Sequence, residues 1–325
     1  MKPFETYQWL AGEEMTDRDK VETASKFWNK GKWDNFVYPF IRFIRIGQMF
    51  DGMSSSCPLD QNDIKEQTFI DMGCNAGLFL KFASELGFGQ VIGVDSNQQA
   101  VKRGEEWRDK NGGNYKFRCL PMEKCIDDLP LADVTVLANA HYYFTINDWL
   151  DYVDQLQYKT RYVIIVTAEK RSKQRCWASA DVPDIRNYFK GWEEVGFIDE
   201  LPLEGDLSPR RLWSLCFKSP HIERVPIEDL DCGNHVQDQF YSELDSGKQY
   251  PETRYYRILK KYRQRWGEER LNQWFEERIR VYNSIKENWQ IKPVLIDKAW
   301  RVLDGNHRFA MMRSLGFKTI LVRRT

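Results

Sequence analysis

The stretch that decides the fold reads Phe69-Ile70-Asp71-Met72-Gly73-Cys74-Asn75-Ala76-Gly77. A short apolar strand ends in an acid, and small residues then let a ligand approach the backbone before a helix predicted over Leu78–Leu86. The first turn of such a helix presents unpaired N–H groups. The next predicted strand, Val91–Asp95, ends in a carboxylate 24 positions after Asp71. A carboxylate there can accept both hydroxyls of a ribose, so the two motifs predict a nucleoside-containing ligand.

The loop has the form Asp-x-Gly-x-Asn-x-Gly rather than the Gly-x-Gly-x-x-Gly of dinucleotide-binding folds. It resembles motif I of the class I S-adenosylmethionine-dependent methyltransferases, and Asp95 matches the acid that ends the second strand in that family. The resemblance covers about residues 68–218. It implies S-adenosylmethionine as cofactor, with Glu123 at the place where the family meets the adenine. The implied cofactor-binding residues are Asp71, Gly73, Cys74, Asn75, Gly77, Asp95 and Glu123.

The segment Ala138-Asn139-Ala140-His141-Tyr142-Tyr143 follows the fourth predicted strand, and in the resembled family this edge faces the methyl donor. His141 can serve as a general base for a hydroxyl, since its ordinary pKa is near neutrality. It can equally pack over the donor or shape the pocket, and both interpretations stay open. Residues 139–142 also resemble the Asn-Pro-Pro-Tyr motif of amino-methylating DNA enzymes, but both prolines are missing. The loop type resembles that of small-molecule, glycan-capping and wobble-uridine enzymes.

Short apolar runs alternate with amphipathic stretches from residue 68 to residue 218, which predicts an α/β, doubly wound, Rossmann-like parallel sheet with helices on both faces. One of these stretches, Ile185–Val195, is predicted to be helical. The chain has 325 residues, enough for about two domains. The predicted domains are N-terminal lead-in helices (1–66), a methyltransferase domain (67–220) and a smaller α+β domain (221–325).

The net charge is zero, with 48 basic and 48 acidic residues, and this argues against a protein that mainly binds a nucleic-acid backbone. The charge is unevenly distributed, however. Residues 221–325 hold 20 Lys and Arg against 15 Asp and Glu (+5), which leaves 28 against 33 (−5) for residues 1–220. A phosphate-bearing ligand therefore suits the C-terminal third better than the remainder.

Four C-terminal segments, 225–230, 283–296, 302–310 and 315–320, occur in an order that resembles the N-terminal domain of ParB-type partition proteins, shared with sulfiredoxin and the archaeal free-serine kinase. The resemblance covers about residues 222–324, with a long helical insertion at 241–280.

The chemistry of this resemblance lies in Asp304-Gly305-Asn306-His307-Arg308, a glycine turn leading into a helix predicted from Phe309. In the resembled family this segment holds nucleotide phosphates, which implies nucleotide or phosphate binding by Gly305, Asn306, His307 and Arg308. Asp304 and His307 are the implied catalytic residues, and Asp304 is a candidate Mg²⁺ ligand. Asn306 occupies the place of the reactive Cys of sulfiredoxin, which excludes sulfinic-acid repair. The Asp-Gly-x-His-Arg form is most similar to the serine kinase branch, although only Asp238 is a candidate for its catalytic carboxylate.

Together these motifs predict a methyltransferase for a small-molecule, glycan or phosphorylated acceptor, coupled to a kinase-like domain that uses ATP or ADP with Mg²⁺. The alternative is a C-terminal domain that only binds or recruits a phosphorylated substrate or nucleic acid. The seven cysteines form no Cys-x-x-Cys pair and are expected to be free thiols. No apolar run approaches the roughly 20 residues of a membrane helix, and the N-terminus lacks a signal peptide, so a cytoplasmic location is predicted.

Overall fold

The computed structural model describes residues 61–138, 140–141, 144–168, 182–200, 212–233, 236–290 and 292–325. The chain divides into two compact units, one within residues 1–128 and 132–220 and the other formed by Leu129–Leu131 and His221–Thr325. The predicted lead-in over residues 1–66 lies outside the described residues, apart from a short 3-10 helix at Gln61–Glu66.

The first unit is built around one seven-stranded sheet. Its strands are β1 (Thr68–Met72), β2 (Gln90–Asp95), β3 (Lys116–Cys119), β4 (Ala132–Ala138), β5 (Thr160–Ala168), β6 (Glu193–Glu200) and β7 (Leu212–Lys218). Its helices are α1 (Leu78–Leu86), α2 (Gln98–Asn111), α3 (Met122–Cys125), α4 (Ile146–Leu156) and α5 (Val182–Tyr188). The strand order is β3-β2-β1-β4-β5-β7-β6. Strands β1, β2, β4 and β5 are largely apolar and buried because helices cover a parallel sheet on both faces, whereas β3 lies at the edge and is partly exposed.

The sheet is mixed, whereas the sequence predicted a parallel one. Strand β7 lies between β5 and β6 and is antiparallel to both. The predicted helix Ile185–Val195 is also wrong in its second half. Helix α5 ends at Tyr188, the Phe189 ring stacks on Phe217 with ring centroids 4.5 Å apart, and the chain continues into strand β6. Pairing along β7 therefore overrides the local helical pattern.

The second unit has a four-stranded sheet of order β10-β9-β11-β8. Its strands are β8 (Ile222–Pro226), β9 (Val294–Ile296), β10 (Val302–Asp304) and β11 (Thr319–Arg324), and its helices are α6 (Val236–Asp245), α7 (Arg254–Tyr262), α8 (Gly267–Asn288) and α9 (Asn306–Ser314). Strand β11 is antiparallel to β8 and parallel to β9. Buried aromatic side chains of the helices, among them Phe240, Phe275 and Phe309, form the core against this sheet. The unit is α+β, and its ParB-like ancestry stays a prediction.

Helix α9 begins at Asn306, three residues earlier than predicted. Gly305 has a left-handed backbone (φ 89°), which turns the chain sharply between β10 and the helix. Arg308 therefore lies in the first turn of the helix and not in front of it. Among the described residues, no helix combines the length and the apolar character needed to cross a bilayer.

Candidate functional site

The loop after β1 lies where the strand order of the first sheet reverses. Asp71 of β1 pairs with Gly93 of β2 on one side and with Val136 of β4 on the other, both in parallel register. The carboxyl ends of the three strands therefore meet at one edge of the sheet. The chain runs outward from β1 toward β3 and then returns to β4 on the other side, and such a switch point opens a crevice in which α/β proteins bind ligands.

Two glycines of this loop lie so close to neighbouring segments that a side chain would not fit. Gly73, Asn75 and Gly77 all have positive φ angles, of 78°, 50° and 85°. A Cβ atom on Gly73 would lie 2.8 Å from the Cβ of Ala140, and one on Gly77 would lie 2.6 Å from the Phe117 ring. The loop thus brings its backbone against β3 and against the segment that follows β4.

Asp95 fixes the loop through its carboxylate. One oxygen accepts a hydrogen bond of 2.8 Å from the backbone N–H of Asn75, and the other accepts one of 2.8 Å from that of Asn97. An ionised carboxylate has about four lone-pair sites, so each oxygen retains capacity for another donor. The side-chain oxygen of Asn75 is buried and has no hydrogen-bond partner among the described residues. Together these atoms offer acceptors beside the open backbone.

Asp71, at the end of β1, and Cys74, within the loop, are both buried. Burial, followed by the nearby carboxylates of Asp71 and Asp95, raises the pKa of the Cys74 thiol well above its usual value. The thiol is therefore protonated at neutral pH and packs as an apolar group rather than acting as a nucleophile.

Glu123 lies in the short helix α3, which follows β3, and its side chain lies outside the described residues. Its neighbour Met122 approaches the loop: the sulfur would lie 3.6 Å from a Cβ on Gly73. The adenine contact assigned to Glu123 stays a prediction. Met122 is a further candidate for the wall of the donor site.

His141 follows β4 and is completely buried. Its Nε2 lies 3.3 Å from the hydroxyl oxygen of Thr167 on β5, and its ring packs 5.8 Å from that of Trp149. A general base must reach the proton that it removes. Both interpretations of His141 stay predictions. Asn139, Tyr142 and Tyr143 lie outside the described residues.

The second unit contains a cavity of about 510 Å³ around the start of helix α9. Helices α6 and α8 supply its other walls. The lining residues are Gln237, Glu277, Arg278, Val281, Ser284, Ile285, Lys292, Asp304, Gly305, Asn306, His307, Arg308 and Met311. The structure thus brings the predicted segment 304–308 into one cavity with residues that the sequence interpretation assigned to an insertion.

No side chain caps the N-terminus of α9, because its N-cap residue is Gly305. The first N–H groups of a helix have no partner within the helix and carry a partial positive charge. Arg308, in the same turn, lies 3.1 Å from the carboxylate of Asp304, whose side chain is 70% exposed. Burial lowers the pKa of Arg308, and the Asp304 charge acts in the opposite direction.

His307 is neutral in this environment. Its Nδ1 lies 2.9 Å from the hydroxyl of Tyr241, and burial, together with the positive charge of Arg278, lowers its pKa to about 3. A neutral imidazole can donate one hydrogen bond but adds no positive charge. Among the described residues, no three His, Cys, Asp or Glu side chains group as a metal site would require. Asp304 therefore does not belong to a preformed site of three or more such ligands among these residues.

Arg278 and Gln237 were missed by the sequence analysis. The guanidinium of Arg278 lies 3.5 Å from the centroid of the Trp274 ring, and its Nε is buried without a hydrogen-bond partner among the described residues. The Gln237 side chain is buried, and its Oε1 likewise has no such partner. Both residues lie far from segment 304–308 in sequence, and neither carries a motif that would have identified it.

No family model matches the chain. The ribosomal protein L11 methyltransferase of Photobacterium profundum is 35% identical over 79 residues, or 24% of this chain and 26% of that protein. The corresponding enzyme of Hydrogenovibrio crunogenus is 37% identical over 60 residues, or 18% and 20%. The chain thus spans about a quarter or less of the length of these relatives. The N-methyltransferase NodS of Bradyrhizobium japonicum, solved with S-adenosyl-L-homocysteine, aligns with a TM-score of 0.47 and 16% identity over 66% of this chain and 99% of that one.

The doubly wound sheet confirms the predicted α/β, Rossmann-like fold of the first unit. The sequence similarity to methyltransferases extends over about a quarter of the chain. The ParB-like and kinase-like interpretation of the second unit stays a prediction.

Proposed function

We propose that this chain is an S-adenosylmethionine-dependent methyltransferase that binds its donor in the crevice beyond β1, β2 and β4. The observation that carries the proposal is the loop 73–77, whose positive φ angles leave bare backbone beside the carboxylate of Asp95. A bound donor supplies an activated methyl group. The residues of the chain bind and orient it, and the loop offers the close backbone approach that such a ligand needs.

Asp95 is proposed to accept hydrogen bonds from the ribose hydroxyls through the lone pairs that Asn75 and Asn97 leave available. The buried side-chain oxygen of Asn75 is a further acceptor for a donor group of the ligand. Gly73 and Gly77 are proposed to contact the ligand through their backbone.

The proposed acceptor is a small molecule or glycan. His141, being buried against Thr167, is proposed to hold the wall of the pocket rather than to remove a proton.

Titration calorimetry with S-adenosylmethionine and S-adenosylhomocysteine tests the donor site. Asp95→Ala is expected to weaken binding by at least about tenfold, because hydrogen bonds to a charged group contribute roughly 1.5–3 kcal/mol each. Asp109→Ala is the matched control, since its carboxylate is exposed on α2 and pairs with Arg108. Unchanged donor affinity in Asp95→Ala, or no binding by the wild type, would contradict the proposal.

A second candidate function belongs to the second unit: nucleotide or phosphate binding, coupled to phosphotransfer. The observation that favours it is the cavity at the uncapped start of α9, with Arg308 in the first helical turn. Anions bind at such helix ends, and a guanidinium can hold a phosphate through two hydrogen bonds. On nucleotide binding, the Asp304 carboxylate would separate from Arg308 and would itself bind the Mg²⁺ that accompanies the nucleotide. The alternative, binding of a phosphorylated substrate without turnover, uses the same residues.

Binding of ATP, ADP and CTP to the full-length protein, with and without Mg²⁺, tests this site. Arg308→Ala is expected to abolish binding. Arg301→Ala is the control, because Arg301 forms the same type of pair with an acid four positions away, Asp297, and is exposed. Binding that survives Arg308→Ala would place the site elsewhere. Hydrolysis or transfer of the terminal phosphate would separate phosphotransfer from simple binding.

A further inference from the structure

Helix α7 and the turn that follows it carry an unusual run of positive charge. Between Arg254 and Arg265 the sequence contains six basic residues and no acidic one. These residues are Arg254, Arg257, Lys260, Lys261, Arg263 and Arg265, and all six are exposed. We call this region, together with Tyr262, Trp266 and Arg270, the basic-aromatic surface.

The fold of the second unit forces these cations outward. Thr253 caps α7 by accepting the backbone N–H of Tyr256. Tyr255 and Tyr256 are buried in the core, with ring centroids 5.9 Å and 5.1 Å from that of Phe275. With the apolar face of the helix fixed in this way, the basic residues occupy the face directed to solvent.

Most of the six cations form no ion pair with another described residue, although the exposed acids Glu268 and Glu269 lie between Trp266 and Arg270. Of the six cations, only Lys260 forms an ion pair with another described residue, at 2.7 Å from Glu268. An ordinary solvated helix face mixes charges of both signs, whereas a run of one sign creates a local field that attracts anions. The net charge of the whole chain is zero because acidic residues elsewhere in the sequence balance this basic run.

Aromatic rings and planar guanidinium groups lie together on this surface. Tyr262 is 77% exposed. The guanidinium carbons of Arg263 and Arg270 lie 4.2 Å and 5.2 Å from the centroid of the Trp266 ring. Unpaired bases stack on exposed aromatic rings and on the planes of guanidinium groups, while phosphates bind the surrounding charges.

We propose that the basic-aromatic surface binds single-stranded nucleic acid, with the cations on the phosphates and Tyr262 stacked against a base. This inference goes beyond the proposed methyl transfer and does not depend on it. An anionic membrane would also attract the cations, but interfacial helices insert an apolar face. The apolar face of α7 is buried within the unit, so nucleic acid fits the surface better.

Fluorescence anisotropy of the full-length protein with labelled single strands of RNA and of DNA, each about 16 nucleotides long, tests the proposal. The wild type is expected to bind one or both strands, with affinity that falls steeply as salt rises from about 50 to 200 mM. The test variant combines Lys261→Glu, Arg263→Glu and Arg265→Glu. The control combines Lys110→Glu, Lys190→Glu and Lys298→Glu, which make the same change in net charge at scattered exposed positions.

The test variant is expected to bind at least about tenfold more weakly, with a salt slope reduced by roughly 2, since each phosphate contact to a single strand contributes about 0.7. The control should bind within about twofold of the wild type. Tyr262→Ala should weaken binding about fivefold or more, whereas Tyr262→Phe, which keeps the ring, should not. Circular dichroism checks that each variant is folded.

Several results would overturn the proposal. One is no binding by the wild type at low salt, and another is equal loss in the test and control variants. Equal affinity for a duplex of the same sequence, or an unaffected Tyr262→Ala variant, would remove the assignment to a single strand. Tighter association with phosphatidylserine vesicles than with either strand would identify a membrane surface instead.

Discussion

Gly77 ends the loop after β1, and the substitution Gly77→Ala tests whether the loop needs its bare backbone. The added Cβ would lie 2.6 Å and 2.9 Å from two atoms of the Phe117 ring and 3.1 Å from Leu80. The ring has little room to move, because a Cβ on Gly104 would likewise lie 2.3 Å from it. The backbone at Gly77 also has a φ of 85°, which side chains rarely adopt.

Two penalties therefore add. A left-handed conformation costs alanine about 1–2 kcal/mol, and an extra methyl in a packed site costs about 1–3 kcal/mol. We expect Gly77→Ala to lower the free energy of unfolding of the first unit by roughly 2–5 kcal/mol.

Gly87→Ala is the matched control, at the other end of the same helix. Gly87 has a φ of 96°, but the nearest described atom to its added Cβ is a methyl of Ile64, at 3.6 Å. This variant should show the conformational penalty of about 1–2 kcal/mol alone. Phe117→Leu, which removes the clashing ring atoms, should recover part of the stability lost by Gly77→Ala.

Urea denaturation of the wild type, Gly77→Ala, Gly87→Ala, Phe117→Leu and the double variant Gly77→Ala/Phe117→Leu measures these free energies of unfolding. A coupling energy of about 0.5–3 kcal/mol is expected between positions 77 and 117. The reasoning would be refuted if Gly77→Ala were no more destabilising than Gly87→Ala, or if Phe117→Leu gave no recovery.

Three further predictions concern titratable groups. The pKa of His307 is about 3 in the folded state against an ordinary value of 6.5, so the unfolded chain gains a proton first as the pH falls. Its contribution to stability is thus present above about pH 6.5 and lost toward pH 3. Between pH 6.5 and 5, denaturation should show wild type losing about 2 kcal/mol more than His307→Gln, and equal losses would contradict this. His141→Asn should reduce the methylation rate by less than about tenfold because the imidazole is buried against Thr167, whereas a fall of about 10²–10⁴ would identify a general base. Iodoacetamide at pH 8 should label Cys119, which is exposed, well before Cys74, whose pKa burial raises; mass spectrometry showing Cys74 labelled first would reverse this assignment.

The local elements of the first unit could be predicted because their signals are local. Helix α1 begins and ends at the predicted residues, with Gly87 in a left-handed C-cap. Strands β1 and β2 differ from the prediction by a residue at each end or less. The apolar runs that define these strands are needed wherever a strand is buried on both faces.

Long-range pairing could not be predicted in the same way. The antiparallel insertion of β7 and the conversion of Val195 from predicted helix to strand depend on partners distant in sequence. Hydrogen bonds between strands form across the sheet, and nothing in a short segment records which neighbour it will have.

The sequence by itself determined the loop 73–77, the carboxylate of Asp95 and the segment 304–308 as candidate sites, because glycines and clustered polar residues can be recognised within a short segment. Only the tertiary structure decided that His141 is buried against Thr167 and that Arg278 and Gln237 line one cavity with Arg308. The burial of a side chain and its neighbours in space arise from the packing of whole elements. This packing lowers the pKa of His307 and leaves the Nε of Arg278 without a hydrogen-bond partner among the described residues.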